Sequence, residues 1–214
     1  MFGPKRMSDI IRSDADVTRG LDALCRIEPK FAAVAPRLSP LPLRLQPEGF
    51  GQVMSVILGQ QVSVASAEAT WAQMVAAGMD QPDAVLAATP EDLRALGLSR
   101  QKALYAHALA NAQIDYDALR NLPDQEVIKT LTAVKGIGLW TAEIYTKFSL
   151  GRPDVLSAGD LAIQIAAQDL FDLPERPKEK ELRQMAVTWS PWRSVAARLL
   201  WAYYAEMKQR DGIR

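Results

Sequence analysis

Apolar residues recur every three to four positions along most of this chain, which is the period of an amphipathic helix. Alanine and leucine are abundant, and no stretch sustains the alternation that is typical of a half-buried strand. Helices are predicted over residues 18–35 with a break at Pro29, 49–61, 63–77, 89–97, 99–112, 124–134, 139–150, 160–170, 178–189 and 192–210. We therefore expect an all-α protein.

Capping residues and prolines divide the pattern into separate helices. The run Thr89-Pro90-Glu91-Asp92 is typical of a helix start, because threonine caps, proline suits the first turn and acids favour the positive end of the helix dipole. Ser63 and Ser99 are predicted N-caps for the same reason. Three prolines between Leu38 and Glu48 predict an irregular connector.

The composition excludes several classes of site. The chain has 214 residues, of which 49% are hydrophobic and 23% charged, as in ordinary globular proteins. Cys25 is the only cysteine, so an intrachain disulfide, a four-cysteine iron–sulfur cluster and a cysteine zinc site are all excluded. His107 is the only histidine and lies in a helical pattern, which disfavours a histidine triad. We expect no cofactor.

Charge and hydropathy bear on partners and location. Lys and Arg total 25 and Asp and Glu total 25, a balance that by itself disfavours a strongly basic nucleic-acid-binding surface. The apolar runs are too short to span a membrane, and the polar segment from Met1 to Val17 has no secretory signal pattern. These features predict a cytoplasmic protein with no membrane partner.

One glycine turn has the chemistry to bind phosphate. Lys135-Gly136-Ile137-Gly138 lies between two apolar helical patterns, and the next helix begins at once at Leu139. Two nearby glycines permit a sharp turn, and the N–H groups of a helix N-terminus bind phosphate. Lys135 adds a cation. The alternative is a plain helical hairpin whose glycines serve only packing. A fainter copy of this layout occurs in residues 92–106.

The wider context of this turn resembles a known family. Leu131–Ala142 (LTAVKGIGLWTA) resembles the helix-hairpin-helix of base-excision DNA glycosylases, and Gly151–Asp160 (GRPDVLSAGD) is similar to the family's loop that ends in an essential aspartate. The resemblance extends upstream to Ile57–Ser63 and downstream to Trp189–Trp201. It covers roughly Pro47 to Tyr203, with the motifs in the family's order.

Within this HhH-GPD superfamily, the chain most resembles the 3-methyladenine DNA glycosylase II type, which removes alkylated bases. Bifunctional members have a nucleophilic lysine just before the Thr-Ala of the second hairpin helix, where this chain has Trp140. The resemblance therefore implies a monofunctional enzyme. Longer alkylation-type members also have an N-terminal β-rich domain; here fewer than fifty residues precede the shared region, which implies the short form.

The fold that the resemblance implies is a single HhH-GPD unit over residues 1–214. It consists of a central helical subdomain, 46–154, that contains the hairpin, and a second helical subdomain, 1–45 plus 155–214. The active-site cleft is expected between the two subdomains.

The implied activity is base excision repair by a monomer, associated with the nucleoid. The enzyme would flip a damaged base out of double-stranded DNA and hydrolyse its glycosidic bond, leaving an abasic site. Bases of the 3-methyladenine and 7-methylguanine class are the expected substrates. Two alternatives remain open: a non-catalytic helix-hairpin-helix module that only binds DNA, and a monofunctional glycosylase for other damaged or mismatched bases.

Asp160 is the candidate catalytic residue. Cleavage of the glycosidic bond builds positive charge on the sugar, and a carboxylate stabilises that charge and orients water. The helix 139–150 is about 18 Å long and the following loop reaches about 30 Å when extended, so the chain can return Asp160 close to Trp140. The alternative role for Asp160 is a simple N-cap. Asp154 is a rival carboxylate, and Glu143 faces either the pocket or solvent.

The resemblance assigns roles to further residues. Trp140 and Trp201 are expected to stack on the flipped base, and an electron-rich indole also selects a cationic alkylpurine; the alternative is that both are core residues, as we expect for Trp189 and Trp192. Lys135, Gly136, Ile137 and Gly138 are expected to bind DNA phosphate. Gln61 is expected to wedge into the gap that the flipped base leaves, with a solvated glutamine as the alternative. The carbonyls of Thr132, Val134 and Ile137 are expected to hold a monovalent cation.

Overall fold

Helices are the only regular secondary structure in residues 10–210, which are the residues that the computed structural model describes. They are α1 (Asp14–Ile27), α2 (Pro29–Leu38), α3 (Phe50–Leu58), α4 (Val64–Ala76), α5 (Pro82–Ala87), α6 (Pro90–Ala95), α7 (Arg100–Asn111), α8 (Tyr116–Leu119), α9 (Asp124–Thr132), α10 (Leu139–Phe148), α11 (Leu161–Leu170), α12 (Glu179–Met185) and α13 (Arg193–Arg210). The all-α prediction is confirmed.

Several helices begin at the N-cap residues that the sequence predicted. Ser63 accepts a hydrogen bond from the Ser66 N–H at the start of α4, and Thr89 forms a reciprocal capping box at the start of α6. Ser99 caps α7. The predicted break at Pro29 is confirmed, because Pro29 is the first residue of α2. The sequence missed α5 and α8, because helices of six and four residues are too short to show a period.

The chain divides into two compact units, residues Met1–Leu45 with Gly151–Arg214, and residues Gln46–Leu150. We call the first the terminal unit and the second the central unit. Predictions for residues 1–9 and 211–214, including most of the segment Met1–Val17, lie outside the described residues.

Residues 151–154 belong to the terminal unit, whereas the sequence placed them in the central one. The Ile11 N–H donates to the Gly151 carbonyl at 2.8 Å, and the Ser194 hydroxyl donates to the Arg152 carbonyl at 2.6 Å. The units therefore divide four residues earlier than the sequence predicted, since hydrogen bonds attach Gly151 to the start of the chain and Arg152 to α13.

In the central unit, α3, α7, α9 and α10 enclose an apolar core. Met54 and Ile57 of α3 and Leu131 of α9 are fully buried in it. Tyr145 of α10 is also buried, and its hydroxyl accepts a hydrogen bond from the Gly49 N–H at 2.9 Å. This core holds the two helices of the hairpin, α9 and α10, against each other.

In the terminal unit, α13 packs against α1, α2 and α11. Trp189 is 1% exposed and stacks on Phe171 with ring centroids 5.7 Å apart, so its prediction as a core residue is confirmed. Trp192 is partly buried against the same core. The buried Arg198 donates to the carbonyls of Leu43 and Ser194, and burial lowers its pKa to about 10. Arg198 thus attaches the connector to α13 without losing its charge at neutral pH.

Within residues 10–210, no helix combines the length and apolar character needed to cross a bilayer.

Candidate DNA-binding and active site

The hairpin turn, residues 133–138, joins α9 to α10. The Ile137 N–H donates to the Val134 carbonyl at 3.1 Å, which closes the turn. Gly136 has φ +97°, a conformation that favours glycine, and a Cβ there would lie 2.3 Å from Cγ of Tyr105. Both the backbone conformation and the tyrosine ring therefore require glycine at this position.

The N-terminus of α10 is open. Gly138 is its N-cap and supplies no side-chain hydrogen bond to the first turn. A Cβ on Gly138 would meet no atom within 4 Å, so a ligand can approach the backbone closely. Leu139 and Trp140, the first residues of α10, are each 41% exposed, and Lys135 is exposed beside the turn. An uncapped helix start with an adjacent cation has the chemistry of a phosphate site.

The second helical hairpin, formed by α6 and α7, differs at this point. Its second helix is capped by Ser99, whose hydroxyl accepts from the Lys102 N–H at 3.2 Å. A donor at this helix start is therefore already satisfied by the protein. The faint sequence echo corresponds to a similar backbone layout but not to a second open helix end.

A hydrogen bond from the Gln60 side chain connects the junction between α3 and α4 to the hairpin turn. Its side-chain amide donates to the Gly136 carbonyl at 3.2 Å and contacts the Thr141 hydroxyl at 3.3 Å. Sequence reasoning missed this role, and the only signal was the position of Gln60 at the end of a helix. The neighbouring Gln61, predicted to be the wedge, is exposed and has φ +58°, an uncommon conformation for a residue other than glycine.

The predicted cation ligands are backbone carbonyls at the end of α9 and in the turn. The Val134 carbonyl already accepts the Ile137 N–H, but a carbonyl oxygen has a second lone pair. The described residues contain no group of three or more histidine, cysteine, aspartate or glutamate side chains that would hold a metal ion. A cation bound by the carbonyls of Thr132, Val134 and Ile137 stays a prediction.

Asp160 is the N-cap of α11. Its Oδ1 accepts hydrogen bonds from the N–H groups of Ala162 at 2.9 Å and Ile163 at 3.2 Å. The capping role is therefore confirmed. Both of these N–H groups donate to the same oxygen, Oδ1. Asp160 is partly exposed, and the preceding Gly159 is exposed.

The loop that leads to Asp160, residues 151–159, is held by side chains of the terminal unit. We call it the aspartate loop. The Ser194 hydroxyl donates to the Arg152 carbonyl and accepts the Val155 N–H at 3.1 Å. Arg183 donates to the Leu156 carbonyl at 3.2 Å. These bonds fix the path of the backbone as far as Leu156.

The other two carboxylates considered in the sequence are Asp154, which is ion-paired, and Glu143, which is buried. Asp154 forms a two-pronged ion pair with Arg193, at 2.7 and 2.8 Å, and accepts from the Ser190 hydroxyl at 2.8 Å. This pairing anchors the aspartate loop to the start of α13.

Glu143 is 2% exposed, so the alternative that it faces solvent is wrong. Nearly every residue from Thr141 to Leu150 is buried, and α10 has no solvated face there.

The two candidate stacking residues lie in different units. Trp140 belongs to α10 of the central unit, and its 41% exposure makes a core role wrong for it. Trp201 belongs to α13 of the terminal unit, where it is partly buried against the core. Asp160 lies in the terminal unit as well. The expectation that Trp140 and Asp160 meet in one cleft stays a prediction.

Comparison with known proteins gives the family. Residues 54–191 match the model of the HhH-GPD superfamily base excision DNA repair protein. The chain belongs to this superfamily. The match contains the hairpin, the Gln60–Gln61 junction and the aspartate loop, so the resemblance inferred from those motifs is confirmed.

Three relatives of this HhH-GPD protein are informative. The alkylbase DNA glycosidase-like protein mag2 of Schizosaccharomyces pombe is 25% identical over 88% of this chain and 94% of its own length. The DNA-3-methyladenine glycosylase 2 of Escherichia coli is 32% identical over 77% of this chain, which spans only 60% of that protein. The structure of the S. pombe 3-methyladenine DNA glycosylase Mag1 in complex with abasic DNA superposes with a TM-score of 0.75 at 26% identity, covering 86% of this chain and 95% of that one.

Proposed function

We propose that this HhH-GPD protein is a monofunctional DNA glycosylase that acts as a monomer on double-stranded DNA and hydrolytically releases alkylated bases of the 3-methyladenine and 7-methylguanine class. The observation that carries the proposal is the braced aspartate loop, which presents Asp160 at the start of α11 within the matched region. The names of the alkylbase relatives support the substrate class.

DNA binding is assigned to the hairpin turn. The open N-terminus of α10 and the exposed Lys135 offer backbone N–H groups and one cation to a phosphate. This mode of binding needs no basic surface, which agrees with a formal net charge of zero. Gln61, exposed at the neighbouring junction, is the proposed wedge that fills the gap when a base leaves the stack.

The proposed chemistry is hydrolysis at the anomeric carbon. The bond from C1′ to the base nitrogen breaks, and the base leaves with the bonding electrons; a cationic alkylpurine thereby leaves as a neutral base. Positive charge develops on the sugar, and the Asp160 carboxylate stabilises it. Water attacks C1′ and loses one proton, for which Asp160 is the proposed acceptor.

The tryptophans and the missing amine define the reaction type. Trp140 and Trp201 are the proposed walls for the flipped base, since an indole face attracts a cationic purine more strongly than a neutral one. Trp140 also occupies the position before Thr141-Ala142 where bifunctional relatives have their nucleophilic lysine. With no amine there to form a Schiff base, strand cleavage is not expected.

The proposal predicts that Asp160→Asn slows base release by about 100-fold or more while DNA binding persists. Wild-type protein should release free 3-methyladenine or 7-methylguanine from methylated duplex DNA, measured by chromatography of the released bases. Removal of a principal electrostatic group costs about 100-fold or more in rate. Asparagine still offers an oxygen for the N-cap, so the variant should keep the wild-type melting temperature and its affinity for abasic-site DNA.

Two results would contradict this assignment. Release of bases by Asp160→Asn at the wild-type rate would remove Asp160 from the chemistry. Wild-type protein that binds abasic-site DNA but releases no base from any methylated substrate would favour the non-catalytic binding module instead. A panel of duplexes with single oxidised, deaminated or mismatched bases separates the third candidate, a glycosylase for other lesions.

A further inference from the structure

The last three residues of the aspartate loop, 157–159, turn the chain into α11. The Asp160 N–H donates to the Ser157 carbonyl at 3.0 Å, and the Ala158 N–H donates to the Leu156 carbonyl at 3.0 Å. Ser157 and Ala158 are fully buried, whereas Gly159 is exposed. The direction in which Asp160 leaves the loop depends on how this turn is held.

Gln164 holds the turn from the first turn of α11. Its backbone N–H donates to the Asp160 carbonyl at 3.0 Å, as the helix requires. Its side-chain amide reaches back beyond the helix start and donates to the Ala158 carbonyl at 2.8 Å. One residue therefore fixes the carbonyl of Asp160 and the carbonyl two residues before it.

The side-chain bond goes beyond ordinary helix formation. The helix start is already capped by Asp160, whose Oδ1 accepts two N–H groups. The amide of Gln164 is directed instead to a loop carbonyl on the far side of Asp160. Without this donor, the carbonyl of the buried Ala158 loses a partner, and the turn relaxes to recover one.

We propose that Gln164 is a positioning residue that sets the direction of the Asp160 carboxylate by holding the Ala158 carbonyl. The inference rests on the proposed glycosylase function and adds to it a residue outside the hairpin and the aspartate loop. A displacement of about 1 Å in a reacting group lowers a rate by about 100-fold. The bond from Gln164 thus controls the rate of the chemical step and not the binding of DNA.

Gln164→Met tests the proposal, because methionine keeps the length of glutamine but donates no hydrogen bond. Gln168→Met is the matched control, since Gln168 lies one turn further along α11 and is likewise partly buried. Two quantities are measured for each variant on one alkylated duplex: the single-turnover rate of base release, and the dissociation constant for the same duplex with an abasic-site analogue.

We expect Gln164→Met to release the base about 10- to 100-fold more slowly, with a dissociation constant within about twofold of wild type. Gln168→Met should match wild type in both. Gln164→Glu, which keeps the shape but replaces the donor by a carboxylate, should show the same split between rate and affinity. This second variant keeps the test valid if Gln164→Met lowers the melting temperature.

An unchanged release rate in both Gln164 variants would overturn the inference. So would a loss of affinity as large as the loss of rate, because that would indicate a general disturbance of the fold. Absence of base release by the wild-type protein would instead overturn the proposed function, and the two failures are therefore distinguishable.

Discussion

At the scale of single residues, one carboxylate serves two purposes. Asp160 caps α11 through Oδ1, and the proposed chemistry uses the same side chain. A residue that is required for local structure is thereby also the proposed stabiliser of an oxocarbenium-like transition state.

The two glycines of the hairpin turn have different roles, which substitution by alanine separates. Gly136→Ala forces a side chain into the ring of Tyr105 at a positive φ, so we expect it to destabilise the fold by about 1–3 kcal/mol. Gly138→Ala meets open space at an ordinary φ of −83° and should leave stability within about 0.5 kcal/mol of wild type. Urea unfolding measures both.

DNA affinity tests the role of Gly138, as stability tests the role of Gly136. A methyl group on Gly138 lies where a phosphate would approach the α10 N–H groups, so Gly138→Ala should bind abasic-site DNA about 10-fold more weakly. Gly138→Ala with wild-type affinity would mean that phosphate is bound elsewhere. Gly136→Ala with wild-type stability would contradict the packing against Tyr105.

At the scale of elements, the hairpin depends on a contact from outside itself. Gln60, two residues beyond the end of α3, donates a hydrogen bond to the turn carbonyl of Gly136 and contacts Thr141 in the first turn of α10. Nearby, the ammonium of Lys102 from α7 donates to the Leu58 carbonyl at 2.6 Å, and burial lowers the pKa of Lys102. The end of α3 is thus attached to the helices of both hairpins.

A double-mutant cycle tests this attachment. Gln60→Ala should destabilise the protein by about 1–2 kcal/mol, because the Gly136 carbonyl and the Thr141 hydroxyl each lose the Gln60 amide as a donor. Thr141→Val should destabilise it by a similar amount, because the Gln60 amide then loses the hydroxyl as an acceptor. The double variant should cost less than the sum of the two single ones, with a coupling of at least about 0.5 kcal/mol. Strict additivity would show that the 3.3 Å contact contributes nothing. Thr132→Val, at the exposed end of α9, is a control for loss of a threonine hydroxyl.

At the scale of the whole molecule, the proposed mode of DNA binding is expected to respond weakly to salt, because it relies on few cations. The formal net charge is zero, and the hairpin turn offers dipolar N–H groups together with Lys135. Each phosphate neutralised by a cation contributes about −0.9 to the slope of log affinity against log salt. With Lys135 as the cation proposed at the hairpin turn, this contact predicts a shallow slope.

Lys135→Ala should reduce that slope by about 1 and weaken binding equally for DNA of any sequence. Titrations of abasic-site duplex at several salt concentrations measure it. Lys129→Ala is the control and should leave the slope unchanged, because Lys129 is an exposed lysine on the preceding helix α9 that pairs with Glu126. Equal slopes for wild type and Lys135→Ala would remove Lys135 from the phosphate contact.

How much of this protein's structure can be predicted from its sequence depends on how far apart in the chain the interacting residues are. Helices, N-caps and the glycine turn follow from residues within four positions of one another, and the structure confirms them at Ser63, Thr89, Ser99 and Asp160. The order of the motifs also sufficed to predict the family. The short helices α5 and α8 were missed because they contain too few residues for a period.

Only the tertiary structure decided what each polar side chain does. Gln60 donates a hydrogen bond to the Gly136 carbonyl, 76 positions away, and Asp154 pairs with Arg193, 39 positions away. The second contact shows that Asp154, which the sequence left as an alternative to Asp160, anchors the aspartate loop. The same anchoring assigned residues 151–154 to the terminal unit. No local pattern encodes such pairs, because they form only when packing of the apolar helix faces brings distant segments together.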